Sequence, residues 1–195
     1  MTLQAGKTKY YTPEEYLALE EKAEFRSEYE NGCIVAMSGG TFNHARISSN
    51  IARHIGNRAS DKCDVLQSDM KVWVESIRRF YYPDVLALYE EPIFYQKRND
   101  TIANPILIVE ILSKSTETKD RGEKFFAYQT IESLKEYILV SQDKLLVEQY
   151  IKQGDGSWKY LATIGLESIV KLESVAIESA LKEIYQRVEI EEENL

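Results

Sequence analysis

Seven consecutive residues, Ile106-Leu107-Ile108-Val109-Glu110-Ile111-Leu112, constrain this chain more than any other stretch. Six of them are Ile, Leu or Val, and an apolar run without polar alternation reads as a central strand buried on both faces of a sheet. Glu110 is the exception. An ionised carboxylate is almost never buried without a partner or a metal, so an acid here marks either a solvated strand end or a site. Asp84 repeats the pattern, following Pro83 and opening the apolar run Val85-Leu86-Ala87-Leu88. An Asp after Pro is equally a common turn residue. Two acids at the mouths of adjacent strands can share one divalent cation. Hard cations such as Mg take carboxylate oxygens, keep several waters and assist phosphodiester hydrolysis.

Around that strand the pattern alternates between helix and sheet. Thr12-Pro13-Glu14-Glu15 is a helix start, with Thr as cap, Pro at the first helical position and Glu completing a capping box. Tyr16, Leu17 and Leu19 supply the apolar side of that helix. Ser27–Glu30, Asn31-Gly32 and Cys33–Met37 predict strand, type I′ turn and strand. After Gly39-Gly40 a helix is expected from about Asn43 to Ala59, striped by Ile47, Ile51 and Ile55. Further strands are expected at Val65–Ser68, Lys71–Val74, Tyr81–Leu88, Tyr137–Val140, Leu145–Ile151 and Trp158–Thr163. Helices are expected from about Thr118 to Thr130, capped by Ser115 or Thr116, and from about Ser179 to Val188. This succession predicts an α/β (α+β) fold around one mixed sheet. A Gly-rich βαβ opening is missing, which argues against a dinucleotide fold.

The chain's 195 residues suit one domain, and 44% hydrophobic with 29% charged residues are ordinary globular values. No apolar run approaches the ~20 residues that span a bilayer, and Met1–Tyr10 lacks the apolar stretch of a secretory signal. Cys33 and Cys63 stand alone and read as free thiols in a reducing cytoplasm. A net charge of −8 argues against coating nucleic acid by charge alone. The acidity is nevertheless displaced to the ends. Residues 44–124 hold 13 basic and 12 acidic side chains, whereas residues 125–195 hold 7 and 13. The closing Glu189, Glu191, Glu192 and Glu193 read as a solvated tail.

Metal-assisted phosphoryl chemistry also needs a cation beside the reacting phosphate. Asp120-Arg121-Gly122-Glu123-Lys124 follows Glu110 by one short loop, with Asp120 and Lys124 one helical turn apart and Tyr128 continuing their face. Taken alone, that pair is an exposed ion pair worth a few tenths of a kcal/mol. In context, Pro83-Asp84-Val85, Val109 to Thr116 and Asp120 to Lys124 together resemble the Uma-type "putative restriction endonuclease" family of bacteria. That family lies within the PD-(D/E)xK nuclease superfamily, which has a restriction-endonuclease-like fold. The likeness continues in Glu28 to Gly32, in Met37 to Thr41 with Asn43-His44, in Gln67 to Met70 and in Glu136-Tyr137. It spans most of the chain, from about Thr12 to Val188.

What the resemblance implies is a restriction-endonuclease-like core over residues 12–188. A mixed central sheet would be flanked by helices and carry additional hairpins, with residues 1–11 and 189–195 as tails. Asp84 and Glu110 would be the catalytic metal carboxylates for Mg or Mn, and Glu28 the additional N-terminal acid. The superfamily's plain pattern places Lys two residues after the second acid, where this chain has Leu112. Lys124 is the expected replacement, reaching back from the helix, with Lys114 as runner-up. Asp120 would orient Lys124 or a water. His44 matches a family position beside a helix start, as a substrate contact or a structural bond. His54 reads as a partly buried polar group, and Asp69 as a turn residue or a cleft residue. Arg46, Arg53, Arg58, Arg78 and Arg79 could meet phosphates but more often such arginines stay solvated.

The resulting expectation is a cytoplasmic, Mg- or Mn-dependent DNA endonuclease that acts as a homodimer, with DNA as partner and no membrane. Two alternatives stand beside it. One is a catalytically inert, nuclease-like nucleic-acid-binding module, in which Leu112 marks loss of the lysine. The other is a dimeric interaction protein that uses Tyr-rich strands without metal chemistry.

Overall fold

A computed structural model of the chain describes residues 9–190, so most of the expected tails, including Glu191, Glu192 and Glu193, lie outside the described residues. Helix α1 (Pro13–Glu20) starts as expected: the Thr12 hydroxyl accepts from the Glu15 N–H while the Glu15 carboxylate accepts from the Thr12 N–H. Tyr16 and Leu17 are buried beneath it, but Leu19 is exposed rather than part of the apolar side. The hairpin of β1 (Ser27–Glu30) and β2 (Cys33–Ala36) turns through Asn31 and Gly32, both at positive φ, as a type I′ turn demands. Helix α2 (Phe42–Arg58) is capped by Thr41 and buries Ile47, Ile51 and Ile55 on one side.

The remaining strands are β3 (Asp64–Gln67), β4 (Lys71–Val74), β5 (Arg79–Tyr81), β6 (Val85–Leu88), β7 (Thr101–Ile102) and β8 (Leu107–Leu112). They are followed by β9 (Glu136–Ser141), β10 (Leu146–Lys152), β11 (Trp158–Ile164), β12 (Ile169–Leu172) and β13 (Ile177–Ala180). A five-stranded sheet runs β2-β1-β5-β4-β7, and a six-stranded sheet runs β11-β10-β9-β8-β6-β3. The hairpin β12-β13 stands beside them. Within the larger sheet β8 pairs antiparallel with β6 and parallel with β9, so it is mixed. All six residues of β8 are buried. Val109 and Ile111 face a core under α2, while Ile108 and Leu112 face a second core shared with the smaller sheet. Glu110 is in phase with that second set.

Three expectations need correction. Tyr81–Leu88 is not one strand: Tyr82-Pro83-Asp84 interrupts it, because Pro83 has no N–H to continue a ladder, and β5 and β6 join different sheets. Helix formation beyond Ser115 gives α3 (Glu117–Lys119), a π-helical turn (Asp120–Lys124) and α4 (Phe125–Tyr128), and Thr116 makes no side-chain cap. The final helix α5 is short (Leu181–Ile184), since Ser179 belongs to β13. Residues 169–172 and 177–180 alternate exposed and covered positions, a period of two that overrides the helical stripe of Leu181, Ile184 and Tyr185. No helix among the described residues is long and apolar enough to cross a membrane.

Candidate active site

Three separate elements converge behind β8. Lys124, in the π-helical turn, points its ammonium at Glu110 Oε1 on β8 (3.0 Å), at Glu28 Oε1 on β1 (3.1 Å) and at Asp120 Oδ1 (3.4 Å). The π turn matters locally: it joins two short α segments and lets Asp120 and Lys124 face the sheet together, and such turns recur at functional sites. Lys124 is 6% exposed, Glu110 3% and Asp120 2%, so neither the solvated strand end nor the exposed ion pair describes them. Tyr128, from α4, donates its hydroxyl to the same Glu110 oxygen at 3.0 Å. The hydroxyl of Tyr137 on β9 holds the Asp120 carbonyl at 2.9 Å, pinning the turn to the sheet.

Asp84 sits at the same rim. The β6–β8 register pairs Val85 with Val109, and one further step sets Asp84 across from Glu110. Its Oδ2 accepts the Ile111 backbone N–H at 2.7 Å and lies 3.2 Å from His44 Nε2. His44 is therefore a partner of Asp84, delivered by the first turn of α2. Of the other expected residues, Lys114 is exposed in its loop and Leu112 is packed in the second core. Asp69 pairs with Arg26 in the β3–β4 turn. His54 lies far along α2, 3.7 Å from Glu183. The site also contains Lys119, which the sequence reading missed: it donates to Glu28 Oε2 at 2.7 Å and pairs with Glu30.

The electrostatics are those of an acid cluster short of positive charge. Burial pushes the Glu110 carboxyl well up, against the pull of Lys124 and with Asp120, Asp84 and Glu28 adding to it. Burial raises Asp120 as well, although Lys124 opposes it. Glu28 goes down despite its burial, because Lys124 and Lys119 both hold its charged form. Burial works against the Lys124 ammonium, yet Glu110, Glu28 and Asp120 more than compensate and keep it charged. Burial also opposes the charged form of His44, but Asp84 outweighs it and raises the imidazole. Lys124 stays cationic, while burial and the neighbouring acids favour the protonated form of Glu110.

That shortage decides whether a divalent cation suits these residues. Glu28 Oε1 and Asp120 Oδ1 are buried and share the one Lys124 ammonium, at 3.1 and 3.4 Å. The donor set is all carboxylate oxygen, the hard chemistry that Mg and Mn take. No three His, Cys, Asp or Glu side chains among the described residues are already spaced as a metal cage. The donor chemistry and charge fit such an ion, and the half-buried Asp84 stands across from the buried Glu110.

Fold and site together define a restriction-endonuclease-like protein: a mixed sheet flanked by helices, with Asp84, just before β6, across from Glu110 within β8. A crystal structure described as "a putative nuclease belonging to DUF820" from Anabaena variabilis superposes with a TM-score of 0.71. That match has 18% identity and covers 90% of this chain and 97% of the other. The chain belongs to the Uma2 family, described as "Putative restriction endonuclease", whose model matches residues 13–182. Two uncharacterized proteins of Synechocystis sp. are close in sequence. One is 37% identical over 159 residues, covering 81% of this chain and 90% of the relative. The other is 35% identical over 179 residues, covering 90% and 91%.

Proposed function

We propose that this protein is a Mg- or Mn-dependent endonuclease that hydrolyses DNA phosphodiester bonds, with residues 12–188 forming the nuclease domain. The observation that carries the reading is the meeting of Lys124 with Glu110, Glu28 and Asp120 within 3.0–3.4 Å, beside Asp84. Asp84 and Glu110 would hold the cation, which when bound supplies Lewis-acid polarisation of the phosphate and a more acidic water. Lys124 does what a lysine on the strand itself would do. Its ammonium stays charged and can donate to the attacking water or to a phosphoryl oxygen on which negative charge grows. Tyr128 fixes the rotamer of Glu110, and the Ile111 N–H fixes that of Asp84. Glu28 and Asp120 hold Lys124 in place, and His44 braces Asp84 from the other side.

A homodimer in the cytoplasm completes the proposal. Cutting both strands of a duplex calls for two centres, and two unpaired cysteines suit a reducing compartment. One observation favours the inert, nucleic-acid-binding reading: Glu110 Oε1 is already occupied by both Lys124 and Tyr128. Plasmid cleavage with Mg or Mn separates the two. The native protein should cut, and Glu110→Ala and Lys124→Ala should lose cutting while remaining folded. Undiminished cutting by Glu110→Ala removes the mechanism, and no cutting by native protein puts the inert module in its place.

A further inference from the structure

In a chain with 32 acidic residues, the 17 residues of α2 contain none, although they include Arg46, Arg53, Arg58, His44 and His54. Three arginines, two histidines and no carboxylate on one helix is a local reversal of the molecule's charge. The reversal is also directional. At 100° per residue Phe42, Arg46, Asn50, Arg53 and Asn57 fall on one stripe, turned away from the buried Ile47, Ile51 and Ile55. Asn50 marks where that stripe meets the C-terminal segment, since its amide donates to the carbonyls of Ile184 and Gln186 at 2.9 Å. The segment adds Arg187 and Lys182, the latter paired with the exposed Glu167 at 2.8 Å, while its Glu183 is taken up by Arg58. Between the two elements lies an open cleft of about 470 Å³ lined by Arg53, Arg58, Lys182 and Gln186 among others.

Most of the arginines, including Arg58 at the end of α2, are neutralised internally. Of the chain's nine, Arg26, Arg58, Arg79, Arg98 and Arg121 each pair with a carboxylate among the described residues. Arg46 and Arg53 instead spend their N–H groups on neutral oxygens, Arg46 on the Arg187 carbonyl and Arg53 on Asn50 and Gln186. Phe42, 70% exposed, lies flat against the Arg46 guanidinium at 4.2 Å and keeps it extended at the surface. The stripe begins where the chemistry is: two residues after Phe42, His44 touches Asp84. The helix also directs the positive end of its dipole toward that rim.

We propose that this flank of α2, with Lys182 and Arg187, is a track for the phosphate backbone of duplex DNA leading away from the acid cluster. The proposal rests on the nuclease reading for its occupant and deepens it by saying where the duplex lies. A 17-residue helix is about 25 Å long, roughly seven phosphate steps of one strand, so the track has the length of a real footprint. It also removes an objection to the nuclease reading, because a chain of net −8 needs only a local cationic strip to bind a polyanion.

The test is binding of a fluorescein-labelled duplex of ~20 bp, followed by anisotropy in EDTA between about 50 and about 200 mM KCl. The protein is the full chain, either native, Arg46→Gln/Arg53→Gln/Lys182→Gln, or a control of equal charge, Lys135→Gln/Lys159→Gln/Lys171→Gln. Each backbone cation lost should flatten the slope of log affinity against log salt by ~0.9, so the track variant should lose roughly 2 to 3 and bind roughly 100-fold more weakly. The control should match the native protein, and Arg46→Lys/Arg53→Lys should retain the native slope because it retains the charge. Should the triple variant be poorly folded by circular dichroism, the single variants carry the same test at one unit of slope each.

An unchanged slope in the track variants, an equal loss in the control, or no duplex binding by the native protein overturns the track. Cleavage assays separate this from the parent reading. Native protein that binds through the track yet never cuts leaves the track standing and sinks the nuclease. Native protein that cuts while the track variants bind normally does the reverse.

Discussion

Replacing Lys124 by Met removes one charge and nearly nothing else in volume, and the structure sets what that should cost. The ammonium is 6% exposed and touches three carboxylates, of which Glu110 and Asp120 are themselves 3% and 2% exposed. Breaking a buried ion pair by removing one partner costs about 3–5 kcal/mol, because the remaining charge is stranded. Here two stranded acids share the loss, since Glu28 keeps Lys119. The pH dependence follows from direction alone. Burial already lifts Glu110 and Asp120 above their unfolded values, and without Lys124 they rise further. A carboxyl raised in the folded state binds its proton more tightly there, so stability is full below the unfolded value and lost as pH climbs through the folded one. The deficit of Lys124→Met should therefore be largest near neutrality and shrink toward pH ~4.5. Urea unfolding in EDTA at both pH values measures it. Adding Glu110→Leu to Lys124→Met should recover a large share of the loss at neutral pH. A deficit under about 1 kcal/mol, equal at both pH values, is what an exposed helical pair gives and would refute the buried-cluster account.

Other expectations are more local. Mg or Mn should raise the thermal midpoint of the native protein, by about 2.7 kcal/mol of stability at a hundredfold excess over its Kd. Glu110→Ala should abolish that rise, and an unchanged rise would move the ion elsewhere. Gly32→Ala should destabilise by about 1–2 kcal/mol, because φ is +102° and the new Cβ would come within 2.8 Å of the Tyr10 ring; an unaltered midpoint would mean the turn relaxes freely. Glu136, fully buried on β9, accepts from the Ser174 N–H and hydroxyl and from Gln149. Glu136→Ala should cost about 2–4 kcal/mol and loosen the β12–β13 hairpin to hydrogen exchange, and equal protection of the Ser174 amide would count against that anchoring role.

Legibility in the sequence followed the range of the forces. Elements settled by local chemistry were readable: the Thr12 capping box, the Asn31-Gly32 turn, the Ile47–Ile51–Ile55 stripe and the apolar run of β8. Elements decided by distant partners were not. Tyr81–Leu88 carries one continuous strand pattern, yet Pro83 hands its halves to two sheets. Leu181 to Val188 carries a helical stripe, yet four residues suffice once β13 has buried Ser179. The pair Asp120 and Lys124 had the right spacing to share a face, but spacing is silent on burial, and burial is what turns a surface pair into a perturbed cluster. Lys119 escaped for the same reason, since nothing local says that Glu28 and Glu30 stand opposite it.

If Lys124 stands in for a strand-borne lysine, as proposed, the cluster depends on more than one strand. With Lys at position 112, acid and ammonium would sit two residues apart on one strand and be held together by β8 alone. Leu112 instead fills the second core beside Tyr128 and Leu139, and the ammonium arrives from a turn 14 residues beyond Glu110. Glu28 arrives from the smaller sheet, so the cluster exists only when both sheets and the π-helical turn are docked. The same docking buries its charges. Loosening any of the three bodies readmits water, relaxes the raised Glu110 and Asp120 carboxyls, and separates Lys124 from its acids. Anything that tightens the smaller sheet against the helix, such as the Arg79–Glu123 pair at 2.7 Å, acts on the cluster without touching it. Remote substitutions along that seam should therefore shift metal affinity and stability together, whereas a strand-borne lysine would let the two vary separately.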